Sequence, residues 1–111
     1  MNVYKGGIVM KLHNLLVDAG IRIQSEVEEI MNSERKDTQK KREIVNRYNS
    51  ICNTAISKAK SSYDKAIIKA YRGFVTLTIA ETISLDELES LAYIACKYMQ
   101  NAKAGSHLEE V

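Results

Sequence analysis

The sequence predicts an all-α protein, a three- or four-helix antiparallel bundle. Three observations carry this. Proline is absent and glycine occurs five times in 111 residues, so the usual helix breakers are scarce. Apolar residues recur three or four apart over most of the chain, the period of one helix face. A Ser-x-x-Glu capping box, Ser84 with Glu87, stands at the head of the last apolar run. A chain that is 45% hydrophobic and 27% charged has the balance of one folded domain rather than a disordered segment.

Met1 to Val9 lie outside the period. They read as a flexible leader. A short hairpin turning at Lys5-Gly6-Gly7-Ile8 is a competing reading, and a native start at Met10 is a third. A single helical domain is expected over 10–105 and a loose tail over 106–111.

The first helix is predicted over about 11–33. Leu12, Leu15, Leu16, Ala19, Ile23, Val27, Ile30 and Met31 form its apolar face. Gly20 lies within this run at a cost of about 1 kcal/mol relative to Ala. Ser33 to Asp37 is a polar break.

The middle of the chain holds the longest stripe. Ile44, Tyr48, Ile51, Ala55, Ala59, Tyr63, Ala66, Ala70, Phe74 and Leu77 advance with a mean step of 3.67 residues. A helix turns once in about 3.6 residues, so this stripe predicts helix through 38–82, in one version unbroken and roughly 65 Å long. Two breaks compete with that version. Ser61 followed by Asp64 resembles a capping box. Gly73 precedes Phe74 to Ile79, a run of strand-like composition whose only available partner strand is 1–9. A bend near 61 makes a four-helix bundle. An unbroken helix leaves more apolar face than one chain covers, and so predicts a homodimer packed along it.

The last helix begins at Ser84. Leu85, Leu88, Ala92, Ala95, Met99 and Ala102 alternate steps of three and four, a coiled-coil-like seam. Asp86, Glu87 and Glu89 suit the positive helix start, and Gly105 is placed to end it.

Catalytic chemistry is poorly supplied. His13 and His107 are the two histidines and stand in different regions. Cys52 and Cys96 fall on apolar stripes and read as buried, reduced core residues. There is no zinc-ligand spacing, no paired Glu-x-x-His and no phosphate-binding glycine loop, so no cofactor or metal is expected. No apolar run approaches the roughly 20 residues of a membrane helix, and no export signal is recognisable, so a cytoplasmic protein is expected.

Charge is the unusual feature. Residues 35–72 carry eleven cations and three carboxylates, net +8, whereas 1–34 and 73–111 carry net −2 and −4. On an unbroken helix Lys40, Arg47, Lys58, Lys65, Lys69 and Arg72 fall on one edge, flanking the apolar stripe. Arg35, Lys36, Lys41 and Arg42 cluster at its start. Tyr71, off the stripe and beside Arg72, joins the edge as an aromatic contact. One reading is internal, with a basic helix choosing acidic neighbours. The other is a docking surface. Small size, helicity and few catalytic groups are shared with small binding proteins such as immunity proteins and inhibitors, a likeness of class that no motif carries. The expected function is therefore a non-enzymatic regulatory or inhibitor-like protein that binds a protein partner through Lys40, Arg47, Lys58, Lys65, Lys69, Tyr71 and Arg72. The alternative is a nucleic-acid-binding module that uses the same edge without base readout.

Overall fold

The computed structural model describes residues 11–102. The leader at 1–9, the hairpin and Met10 readings, and the tail at 106–111 lie outside the described residues, as do Gly105 and His107. Within them are five helices and no strand: α1 (Leu12–Met31), α2 (Asp37–Lys58), α3 (Ser62–Arg72), the short α4 (Leu77–Thr82) and α5 (Leu85–Gln100). No helix among them is long and apolar enough to cross a membrane.

The helices α1, α2 and α5 make the main core. The first two run antiparallel, since Lys40 reaches the Met31 carbonyl and Arg47 reaches Glu26 across the pair. From Ser61 the chain turns back along α2: Arg72 bonds Asn53, Val75 is bonded by Asn49, and Ile83 by Lys41. The start of α5 thus lies beside the start of α2. Its far end reaches α1, where the Gln100 amide donates to the Gly20 carbonyl at 3.2 Å.

The outer helices follow their sequence periods. Leu15, Leu16, Ala19, Ile23, Val27 and Ile30 of α1 are buried, and so are Leu85, Leu88, Ala92, Ala95 and Met99 of α5. The Ser84–Glu87 capping box is reciprocal. Ser84 Oγ accepts from the Glu87 backbone at 3.1 Å, and a Glu87 carboxylate oxygen accepts from the Ser84 N–H at 2.8 Å.

The middle helix is not unbroken. The chain leaves helical geometry at Ala59 (ψ 143°) and resumes after Ser61 (φ −135°, ψ 161°), whose Oγ accepts from the Asp64 N–H at 3.0 Å. A second break follows α3. Gly73 closes that helix in ordinary right-handed geometry, and Thr76 Oγ1 accepts from the Ile79 N–H to start α4. Both sequence-legible breaks therefore occur, and the strand-like run 74–79 instead enters a helix. An N-cap satisfies otherwise orphaned backbone donors, so each Ser or Thr makes a new helix start cheap.

This splits the long stripe in two. Ile44, Tyr48, Ala55 and Ala59 are buried and Ile51 half-buried, but Tyr63, Ala66, Ala70, Phe74 and Leu77 are exposed. In α3 the buried residue is Ile68, with Ile67 and Tyr71 packed half-buried against the core. That helix carries two apolar rows, and the broken backbone lets the one with the larger side chains turn inwards. Two isoleucines and a tyrosine remove more apolar surface from water than Tyr63 with two alanines.

Candidate interaction surface

The breaks also dissolve the single line of cations, which depended on an unbroken helix. Three of the six are used inside the fold. Lys40 is half-buried, and its Nζ donates to the Met31 carbonyl at 2.9 Å, closing the end of α1. Arg47 pairs with Glu26 of α1. Arg72 donates to Asn53 Oδ1 at 2.6 Å and holds the end of α3 on α2. For these the internal reading of the basic edge describes what the side chains touch. Tyr71 is half-buried with its ring edge-on to Phe74, centroids 5.7 Å apart.

The other three, Lys58, Lys65 and Lys69, are exposed, and Lys60 joins them. Among the described residues no carboxylate lies within ion-pair distance of these four, whereas Arg22, Arg35 and Arg47 each have one. Asp64 is the sole carboxylate between Lys58 and Ala80.

Lys58 lines a groove with Leu15, Asp18 and Ile51 on the α1 side of α2, whereas beside Lys65 and Lys69 lies the uncovered half of the stripe. Tyr63, Phe74 and Leu77 are 60%, 46% and 51% exposed. At about 100° per residue, Tyr63, Ala66 and Ala70 share the face of α3 that points away from Ile68, and Lys65 and Lys69 form one of its edges. The other edge, Ile67 and Tyr71, runs into the core. A strongly amphipathic helix that fully buries one residue of eleven is unusual, because packing of the apolar face normally supplies most of a helix's stability.

Tyr48, buried, and Asn49, half-buried, hold this face in place from α2. The Tyr48 hydroxyl donates to the Tyr71 carbonyl at 2.5 Å, and Asn49 Nδ2 to the Val75 carbonyl at 2.8 Å. Val75 itself is fully buried. The sequence reading placed Tyr48 in the core but missed Asn49 and Asn53 as anchors. Nothing in local periodicity marks a polar residue whose hydrogen-bond partner lies 19 or 26 positions on. The pair Ile67-Ile68, off the stripe and just after the Ser61 cap, is the signal that would have revealed the change of face.

A second apolar patch lies on α5, where Ile94 and Tyr98 are 55% and 64% exposed. With Tyr93, Lys97 and Asn101 they line a shallow depression of about 450 Å³. Burial, then the Glu89 carboxylate, raises the Tyr93 phenol above its ordinary value, so it stays a neutral donor.

Both cysteines are free and buried. Burial pushes the Cys52 thiol up to about 12, and burial likewise raises Cys96, so neither is a ready nucleophile. Among the described residues no three His, Cys, Asp or Glu side chains gather where a metal ion would be held. Comparisons with protein-family models, curated proteins and solved structures returned no match.

Proposed function

We propose that this protein acts by binding another protein, without catalysis, through the outer face of α3 and the Phe74–Leu77 connection. One observation carries the reading: α3 turns Tyr63, Ala66 and Ala70 into solvent with Lys65 and Lys69 exposed on one edge, and the chain that follows exposes Phe74 and Leu77. Apolar surface gathered on one face and rimmed by charge is the usual form of a contact site. The site is thus smaller than the predicted basic edge, keeping Lys65, Lys69 and Tyr71, while Lys58 lines the groove between α1 and α2. Lys40, Arg47 and Arg72 serve as scaffold.

The test is a photo-crosslinking amino acid placed at Ala66, at Tyr98 and at Glu29, an exposed position on α1, in cells of the natural host. A discrete protein adduct from position 66, absent from 29, supports the reading. An adduct from 98 alone would move the contact to α5, and equal yields from all three would remove a defined site.

The nucleic-acid reading keeps one supporting observation, the four exposed lysines that have no carboxylate near them among the described residues. It leaves the exposed apolar row without a role, which is why protein binding is preferred.

A further inference from the structure

We infer that the occupant of the α3 face is an acidic amphipathic helix of a different protein, and not a second copy of this chain. This rests on the proposed binding role of that face and adds the chemistry of the partner.

Charge points to the partner's chemistry: Lys65 and Lys69, on the edge of the face, are exposed with no carboxylate in ion-pair distance among the described residues, although the same chain pairs Arg22, Arg35 and Arg47. Over Lys58–Ala80 one carboxylate, Asp64, stands against five cations. A partner carrying Asp or Glu along one flank supplies what this surface lacks, and opposite potentials across an interface set both encounter rate and specificity.

The shape of the face suits a helix. Tyr63, Ala66 and Ala70 recur at the spacing of one helix face, with Phe74 beyond them. The two alanines leave a low centre between two aromatic side chains. A partner helix lays its own i, i+3, i+4, i+7 residues into such a row, as in other helix-in-groove recognition.

A second copy of this chain does not supply the missing carboxylates. An antiparallel pairing of α3 with its two-fold image puts both lysine edges on the same side. A parallel pairing sets each lysine edge against the partner's Ile67–Tyr71 edge. Neither arrangement lines the lysines with carboxylates, and the antiparallel one brings like charges together.

The experiment uses the full chain and two labelled 18-residue peptides. Both carry leucines at helix-face spacing; one has glutamates on its flank and the other lysines at the same positions. Fluorescence anisotropy should show the glutamate peptide binding about tenfold more tightly, the discrimination that a few exposed ion pairs supply. The K65E/K69E double variant should reverse that preference. Ala70→Arg should abolish binding of both peptides while the thermal midpoint stays unchanged. Equal affinity for the two peptides overturns the inference. So does a dimer in sedimentation analysis that Ala70→Arg dissociates. If neither peptide binds but the adduct from position 66 persists, the binding face stands and the acidic-helix partner is wrong. If the adduct is also missing, both fall.

Discussion

The Tyr48 hydroxyl and the Tyr71 carbonyl oxygen, 23 positions apart, meet at 2.5 Å and fasten the end of α3 to the middle of α2. Tyr48 has no exposed surface, and its phenol is raised well above its ordinary value, first by burial and then by the neighbouring Cys52 and Cys96 thiols. The proton therefore stays on the oxygen and the bond persists at any ordinary pH. Tyr48→Phe keeps the ring and removes the donor. It should cost about 1 kcal/mol in urea unfolding, the typical net value of one such bond. Hydrogen exchange should quicken in α3 more than in α1 or α5, whereas uniform quickening would mean that the bond does not position α3 in particular.

Gly20 and Gly73 should respond oppositely to alanine. A Cβ on Gly20 would stand 2.7 Å from the Cys96 carbonyl oxygen and 2.8 Å from Gln100 Cγ, so the α1–α5 crossing requires a bare backbone. Gly20→Ala gains about 1 kcal/mol of helix propensity but loses more to overpacking, typically 1–3 kcal/mol, so the net sign is destabilising. At Gly73 φ is −71° and the nearest atom to an added Cβ is 3.5 Å away. Gly73→Ala should be neutral or stabilising by up to about 1 kcal/mol. Chemical denaturation of the two variants decides it.

Stability should fall in alkali. The Cys52 thiol has its ordinary value of 9.0 in the unfolded chain and about 12 in the folded one. A raised acid favours the fold while both states are protonated, so its contribution is complete below the unfolded value. As pH climbs from 9.0 towards about 12, the unfolded chain releases the proton first and the contribution is lost. Unfolding free energy measured from pH 7 to 11 should be level at first and then decline, and Cys52→Ala should flatten the decline. At pH 7.5 native Cys52 should react with iodoacetamide only as fast as the fold opens.

A polyanion can draw on four exposed lysines, not on six cations in line. At about 0.9 per phosphate, binding to generic duplex should show a log–log salt slope no steeper than about −3.6. A slope near −5 would require further cations, either the exposed Lys36 and Arg42 at the start of α2 or Lys40, Arg47 and Arg72 released from Met31, Glu26 and Asn53. Absence of binding at about 50 mM salt would remove the nucleic-acid reading and leave the protein partner.

How much was legible can be followed along the chain. The faces of α1 and α5 read correctly because each has one apolar row, and burial of that row is the only way to satisfy it. The Ser84 cap read correctly because an N-cap bond closes within three residues, and the same local pattern at Ser61 offered the break as an alternative to the unbroken helix. The sequence misled at Gly20, which reads as a propensity cost and is in fact the space for the Cys96 carbonyl. It misled again at Tyr63, Ala66, Ala70, Phe74 and Leu77, whose step of three or four continues a stripe that the backbone abandons at Ala59.

The sequence by itself determined that the chain is helical, where α1, α2 and α5 begin, and that residues 35–72 are strongly basic. These depend on hydrogen bonds and side-chain spacing within a few residues. Only the tertiary structure decided which row of α3 turns inwards, which cations are consumed in holding the fold, and which lysines stay exposed beside an uncovered apolar face. Those outcomes depend on groups distant in sequence, such as Asn49 against Val75 and Lys41 against Ile83. They follow from competition between alternative burials, which no local pattern records.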